Sequence, residues 1–358
     1  MPPHEINLKF QLMPGSEAIL RAGDAAYDEK AFKRPRLSLA MGLLVVLTAT
    51  ISAATISVGS AGYLGVFVGL PARWIITPVV LSMGLVACLA TRQSVTLAGI
   101  MTLIELGGIM LIIIAGFSAE IGVFTRLPEI WPALGDIGVW VELSGMTLIA
   151  VFAFIGLEHL VNVAEEVKNP SSTLPWALFL TLGLTVLVYA LVVWVAVVAV
   201  PPNELATSSA RLALVFERLT SMPLKTMSMI AVVATLNGVI VHVIMISRVL
   251  YGLAAQGNLP QALAHLNPGT GTPLLATALG IGAILVLALA VPLAGLADLT
   301  ARFTLVVFAI INIALNRIKA REAAAPLHVF VCPGWVPFAG LVSSIEFLFL
   351  RSGCAIAR

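Results

Sequence analysis

Long apolar runs, repeated along the whole chain, constrain the fold of this sequence more than any other feature. About nine stretches of roughly 20 residues are dominated by aliphatic side chains and hold few charges. A helix of that length crosses a hydrocarbon core of about 30 Å, where backbone polar groups must be satisfied internally. Hydrophobic residues make up 59% of the 358 residues and charged residues 11%, unlike a soluble globular domain. The sequence therefore predicts an all-α polytopic membrane protein.

The spacing of these runs predicts three parts of the chain. Residues 1–36 form a polar N-terminal segment, 37–350 a transmembrane domain and 351–358 a C-terminal tail. Short turns are expected at 91–94 and 292–295, and an amphipathic helix is expected near 211–218. The nine spans are predicted at 37–68, 74–90, 95–117, 139–160, 173–200, 226–253, 273–291, 298–316 and 333–350.

The distribution of positive charge predicts how the chain is oriented. If the N-terminus is cytoplasmic, twelve of the twenty Lys and Arg residues fall on the inside. This favours a cytoplasmic N-terminus and an external C-terminus in the cell membrane. The twelve residues are Lys9, Arg21, Lys30, Lys33, Arg34, Arg36, Arg92, Lys168, Arg248, Arg317, Lys319 and Arg321.

Several classes of function find no support in the sequence. A net charge of +2 argues against a nucleic-acid partner, and the three scattered cysteines indicate neither a disulfide framework nor a metal site. The pair Glu158-His159 lacks the spacing of a zinc hydrolase, and neither a serine nucleophile elbow nor a P-loop lysine is present. We therefore expect neither an enzyme nor a cofactor.

One predicted span contains a glycine followed closely by charge. Gly156 stands two residues before Glu158 in an otherwise apolar helix. A carboxylate at membrane depth indicates a functional site, and glycine permits a break in the helix that exposes main-chain carbonyls and amides. The alternative is that Glu158 lies near the cytoplasmic end of the span and reaches water.

Three further polar side chains lie within apolar spans. Glu105 is either a protonatable coupling residue or a neutral, hydrogen-bonded glutamic acid that holds helices together. His242 either lines a cavity and titrates near neutral pH or hydrogen-bonds across helices. Asn237 is interpreted as a packing residue, because interhelical amide bonds need no functional role.

Three stretches, in order along the chain, resemble the amino acid-polyamine-organocation superfamily of permeases. Residues 152–170 are similar to the sixth helix of that family and the loop after it, with an F-A-F-I-G-L-E core followed by A-E-E and N-P. Residues 247–260, with Thr272-Pro273, are similar to its eighth helix and loop. Residues 21–32 resemble the loop between its second and third helices. The resemblance covers the chain from about residue 20 onward.

The resemblance implies a LeuT-like fold of two inverted five-helix repeats, here partial, and secondary transport of amino acids or related amines. The main chain of Ala153, Phe154, Ile155 and Gly156 would accept hydrogen bonds from a substrate ammonium, and Phe152 would cover the substrate. His242 would face the substrate cavity. Glu158 and Glu105 would couple transport to a proton or Na⁺ gradient, or gate it.

The sequence departs from the family pattern at its N-terminus. The first two helices of the family have no counterpart, including the broken first helix that binds the substrate carboxylate. The leading hypothesis is a proton-coupled amino-acid permease, N-terminally incomplete and embedded in the lipid bilayer. The alternative is a non-transporting membrane remnant or partner subunit derived from a permease.

Overall fold

The computed structural model describes most of the chain as helix. It covers residues 35–89, 91–119, 122, 125–126, 135, 137–156, 170–321 and 332–356. Glu158, most of the predicted N-terminal segment and the end of the predicted tail lie outside these residues. The predicted division into segment, membrane domain and tail stays a prediction.

Eleven α-helices and one short 3-10 helix make up the described part of the chain, which contains no strand. This confirms the predicted all-α class. In chain order the α-helices are α1 Pro35–Val68, α2 Ala72–Leu89, α3 Thr91–Ser118, α4 Ile137–Phe152, α5 Pro170–Ala199, α6 Pro202–Thr207, α7 Arg211–Thr220, α8 Leu224–Ala255, α9 Leu274–Ala290, α10 Leu293–Arg321 and α11 Trp335–Ile356, with the 3-10 helix Gln261–Ala264 between α8 and α9.

Five of these helices are long and apolar enough to cross a membrane: α1, α3, α5, α8 and α10. Helices α2, α9 and α11 contain shorter apolar stretches. Large side chains such as Leu180 and Leu103 stand exposed on the long helices, as expected for faces that meet lipid tails. Each of the nine predicted spans overlaps a helix, and α4 covers only the first part of the fourth. That all nine cross a membrane stays a prediction.

The ends of three elements differ from the sequence prediction. Residues 91–94 begin α3 instead of forming a turn, because this polar stretch holds neither glycine nor proline to stop a helix. Helix α10 begins at Leu293, directly after Pro292, whose carbonyl accepts a hydrogen bond from the Leu296 amide. Helix α4 ends at Phe152, whereas the predicted span continues to residue 160.

The described residues divide into two compact units. One comprises Val46–Phe152 and Leu184–Ala301, and the other contains the remaining described residues. In the first of these, α8 packs against α2, α3, α7 and α9. The amphipathic helix that was expected near 211–218 is present as α7, with Ala213, Val215 and Phe216 buried.

The remaining unit contains a close helix pair formed by α11 and the end of α10. A Cβ on Gly340 would lie 2.8 Å from both terminal atoms of the Asn312 amide. The Lys319 ammonium donates a hydrogen bond to the Cys332 carbonyl just before α11. Glycine at position 340 therefore permits the close approach of these two helices.

Candidate functional site

The end of helix α4 carries the predicted substrate-binding stretch. The helix ends at Phe152, and Ala153, Phe154, Ile155 and Gly156 follow as turns. Gly156 has φ +118°, which residues with a side chain rarely adopt. This backbone conformation favours glycine here.

This helix end has the chemistry of a cation site. The last carbonyls of an α-helix lack intrahelical partners and form the negative end of its dipole. The turn exposes Ala153 and leaves Phe152, Phe154 and Ile155 half-buried. An ammonium group would be favoured at such a place. The predicted coupling residue Glu158 lies outside the described residues.

A second set of polar groups lies where α3 packs against α8. Asn237 on α8 donates from Nδ2 to Thr102 Oγ1 on α3 at 3.3 Å. Six residues further along α3, a Cβ on Gly108 would meet Ile230 and Met227 of α8. The two contacts fix an antiparallel register between the helices.

Glu105 lies between these two contacts. It is halfway along α3 from Thr102 to Gly108, and three residues correspond to most of one helical turn. Around the axis of α3, position 105 therefore lies between positions 102 and 108, which both contact α8. Glu105 is half-buried, and its carboxyl interacts electrostatically with Tyr189 of α5. We call Thr102, Glu105, Tyr189 and Asn237 the polar cluster.

His242 lies on a different side of α8 from the polar cluster. Its Nδ1 is 2.8 Å from the Gly238 carbonyl, and because a carbonyl only accepts, Nδ1 carries the hydrogen. A Cβ on Gly238 would lie 3.2 Å from the Ile56 side chain of α1. Position 242 is one turn after Gly238, so His242 stands on the side of α8 that faces α1. Its predicted role in the substrate cavity stays a prediction.

A row of buried hydroxyl groups on α1 was not found by reasoning from the sequence. Thr55 donates to the Ile51 carbonyl and contacts Thr300 at 3.5 Å between hydroxyl oxygens. Because such hydroxyls bond to their own helix, they let α1 pass through the interior at low polar cost. The spacing of small polar residues along the first apolar run was the available signal. The buried members are Thr50, Ser52, Thr55, Ser57 and Ser60.

Comparison with known proteins decides the family. Residues 15–353 match the amino acid permease family. The chain belongs to this family. That membership confirms the resemblance to the amino acid-polyamine-organocation superfamily.

Named relatives share part of their length with this chain. An uncharacterized transporter of Mycobacterium tuberculosis strain H37Rv is 29% identical over 223 residues, which are 61% of this chain and 49% of the relative. A branched-chain amino acid permease of Bacillus subtilis is 24% identical over 342 residues, 88% of this chain and 71% of the relative. One of Lactococcus lactis is 27% identical over 224 residues, 60% and 46% respectively. The chain spans about half the length of the mycobacterial relatives.

The structure thus places the predicted site residue Glu105 near Asn237, which was predicted as a packing residue, and leaves other predicted site residues apart. Glu105 and Asn237 were found separately in the sequence, and they lie at one seam between α3 and α8 together with Thr102 and Tyr189. Thr102 and Tyr189 were missed, since each is an ordinary residue in an apolar span. His242 stands on another side of α8.

Proposed function

We propose that this protein carries amino acids across a membrane as a secondary transporter. Membership of the amino acid permease family supports transport, and five helices of spanning length support an integral membrane protein. The observation that carries the proposal is the end of α4: a turn with Gly156 at φ +118°, in the stretch that resembles the substrate-binding break of the family.

The proposed substrates are neutral amino acids with branched aliphatic side chains. Two relatives are named branched-chain amino acid permeases, one from Bacillus subtilis and one from Lactococcus lactis. Phe152, Phe154 and Ile155 offer apolar surface beside a helix end suited to ammonium. An apolar side chain and a positively charged amine would both be recognised there.

Each predicted site residue has a role in the proposal. Main-chain groups from Ala153 to Gly156 bind the ammonium, and Phe152 covers the substrate. His242 contributes to the cavity wall. Glu105 and Glu158 exchange the coupling proton, with Na⁺ as the competing coupling ion. The bias of Lys and Arg supports a cytoplasmic N-terminus in the cell membrane.

Uptake into proteoliposomes tests the proposal. The purified chain is reconstituted, and labelled leucine, isoleucine and valine are offered under an inward pH gradient, an inward Na⁺ gradient or neither. We expect saturable uptake that the pH gradient stimulates. Uptake that only the Na⁺ gradient stimulates would replace the proton in the proposal. Absence of saturable uptake of any amino acid, with folded protein in the bilayer, would contradict transport by this chain.

A further inference from the structure

Asn237 carries a buried amide with a hydrogen bond at only one of its ends. The residue is 7% exposed, and its Nδ2 donates to Thr102. Within the described part of the chain, the buried Oδ1 atom has no hydrogen-bond partner. A buried amide oxygen without a donor is costly, so the bond to Thr102 explains only half of this side chain.

The geometry of the α3–α8 seam brings Asn237 and Glu105 toward each other. Thr102 lies opposite Asn237, and Gly108 lies opposite Ile230, so Glu105 lies opposite Val233 and Ala234, about one turn of α8 before Asn237. Side chains on a helix lean toward its N-terminus. In this antiparallel pair, Asn237 leans toward the level of Glu105 and Glu105 leans toward the level of Asn237.

An amide at this place can match either form of a carboxyl group. With Nδ2 donating to Thr102, the Oδ1 atom is an acceptor for a carboxylic O–H. Rotation of the amide by half a turn about χ2 lets the Thr102 hydroxyl donate to Oδ1 and turns Nδ2 into a donor for a carboxylate. The bond to Thr102 is kept in both orientations.

We propose that Asn237 is a positioning residue that serves both protonation states of Glu105. The carboxylic acid of Glu105 donates its O–H to Asn237 Oδ1. When the proton leaves to water that reaches the half-exposed carboxyl, the amide rotates and Nδ2 donates to the carboxylate. No covalent bond of Asn237 changes, and the proton lost by Glu105 is gained by water.

Among the described residues of α3, α5 and α8, few other ionisable groups bear on Glu105. On α5 the group is Tyr189, which interacts electrostatically with the carboxyl. On α8 the segment from Ile230 to Asn237 contains no ionisable residue, and His242 stands on the side toward α1. On α3 itself, Glu105 is the only ionisable residue from Val95 to Ser118. The amide is therefore the polar partner that α8 offers.

A role of the Asn237 rotation in transport rests on the proposed proton coupling. The hydrogen bonding between Asn237 and Glu105 is tested without any transport assay. Because the amide can hydrogen-bond to the carboxylic acid and to the carboxylate, neither form of Glu105 lacks a hydrogen-bond partner between the apolar faces of α3 and α8. Glu105 is thereby able to gain and lose a proton without separation of α3 from α8.

Infrared difference titration of the purified, lipid-reconstituted protein tests the proposal. The Glu105 bands are assigned by their loss in Glu105→Gln. In Asn237→Leu, which keeps the volume and removes the amide, we expect the carboxylic C=O band to move toward the frequency of a free acid and the carboxylate bands to shift as well. Thr102→Val, which removes the anchor of the amide, is expected to shift the carboxylic band in the same direction.

Ser228→Ala is the matched control on α8. Ser228 is fully buried, it donates to the Leu224 carbonyl of its own helix, and its position lies on the opposite side of α8 from Ile230. We expect its bands to equal those of the unchanged protein. Identical Glu105 bands in Asn237→Leu, Thr102→Val and the unchanged protein would overturn the proposal, and so would bands that respond to Na⁺ and not to pH. None of these results depends on uptake.

Discussion

A methyl group added at Gly108 tests the packing on which the polar cluster depends. In Gly108→Ala the new Cβ would lie under 3.0 Å from the Ile230 side chain and 3.2 Å from Met227 Cε. Ordinary carbon contacts lie at about 3.5–4.0 Å, so α3 and α8 must separate or Ile230 must leave its rotamer. Ile230 is β-branched and stiff in a helix, which makes the second escape costly.

The neighbouring glycine supplies a matched control. A Cβ on Gly107 has no heavy atom within 4 Å. Replacing glycine by alanine favours a helix by up to about 1 kcal/mol in both variants, and this gain cancels in their comparison. Overpacking costs about 1–3 kcal/mol, so we expect Gly108→Ala to be less stable than Gly107→Ala by roughly that amount.

Thermal unfolding of the two purified variants in the same detergent measures this difference. We expect Gly107→Ala to melt at or above the temperature of the unchanged protein and Gly108→Ala to melt several degrees lower. If both variants melt together, the register that places Glu105 opposite α8 is wrong.

Two further predictions concern the α1 helix and the surface. Gly62→Ala would place a Cβ 2.5 Å from the Ser209 carbonyl oxygen, whereas the Cβ of Gly65→Ala meets nothing within 4 Å. We expect only Gly62→Ala to lower the melting temperature, because overpacking costs about 1–3 kcal/mol in the free energy of unfolding. Equal melting temperatures would refute the close approach of Gly62 to Ser209. Glu204 and Arg218 form a half-exposed ion pair at 2.6 Å, so Glu204→Gln should cost at most about 1 kcal/mol, and a larger loss in denaturation would contradict this.

The apolar runs were sufficient to predict the helices, but polarity alone misplaced some of their ends. Residues 91–94 are polar and were expected to form a turn, yet polar side chains are compatible with the first turn of a helix. Gly156, where the sequence suggested that the helix could open, has φ +118°, while the helix itself ends about one turn earlier at Phe152. The residues between Phe152 and Gly156 are apolar, so the hydrophobic pattern does not show that the helix has already ended.

The partners of the polar residues were beyond reach of a single sequence. Asn237 was interpreted as an interhelical packing residue, and its bond to Thr102 agrees with that interpretation. Whether Oδ1 or Nδ2 of this amide lacks a hydrogen-bond partner depends on the register between α3 and α8. These two helices lie more than a hundred residues apart in the sequence. That register is set by the contact of Gly108 with Ile230, two residues without polar character.

Uptake of a labelled branched-chain amino acid by two glycine variants tests the central claim most directly. Gly156→Ala places a side chain at φ +118°, whereas Gly183 has no such backbone and no heavy atom within 4 Å of its ideal Cβ position. In proteoliposomes with equal amounts of folded protein, we predict that Gly156→Ala loses most of the saturable uptake and that Gly183→Ala keeps it. Equal uptake by both variants would contradict a substrate site at the end of α4.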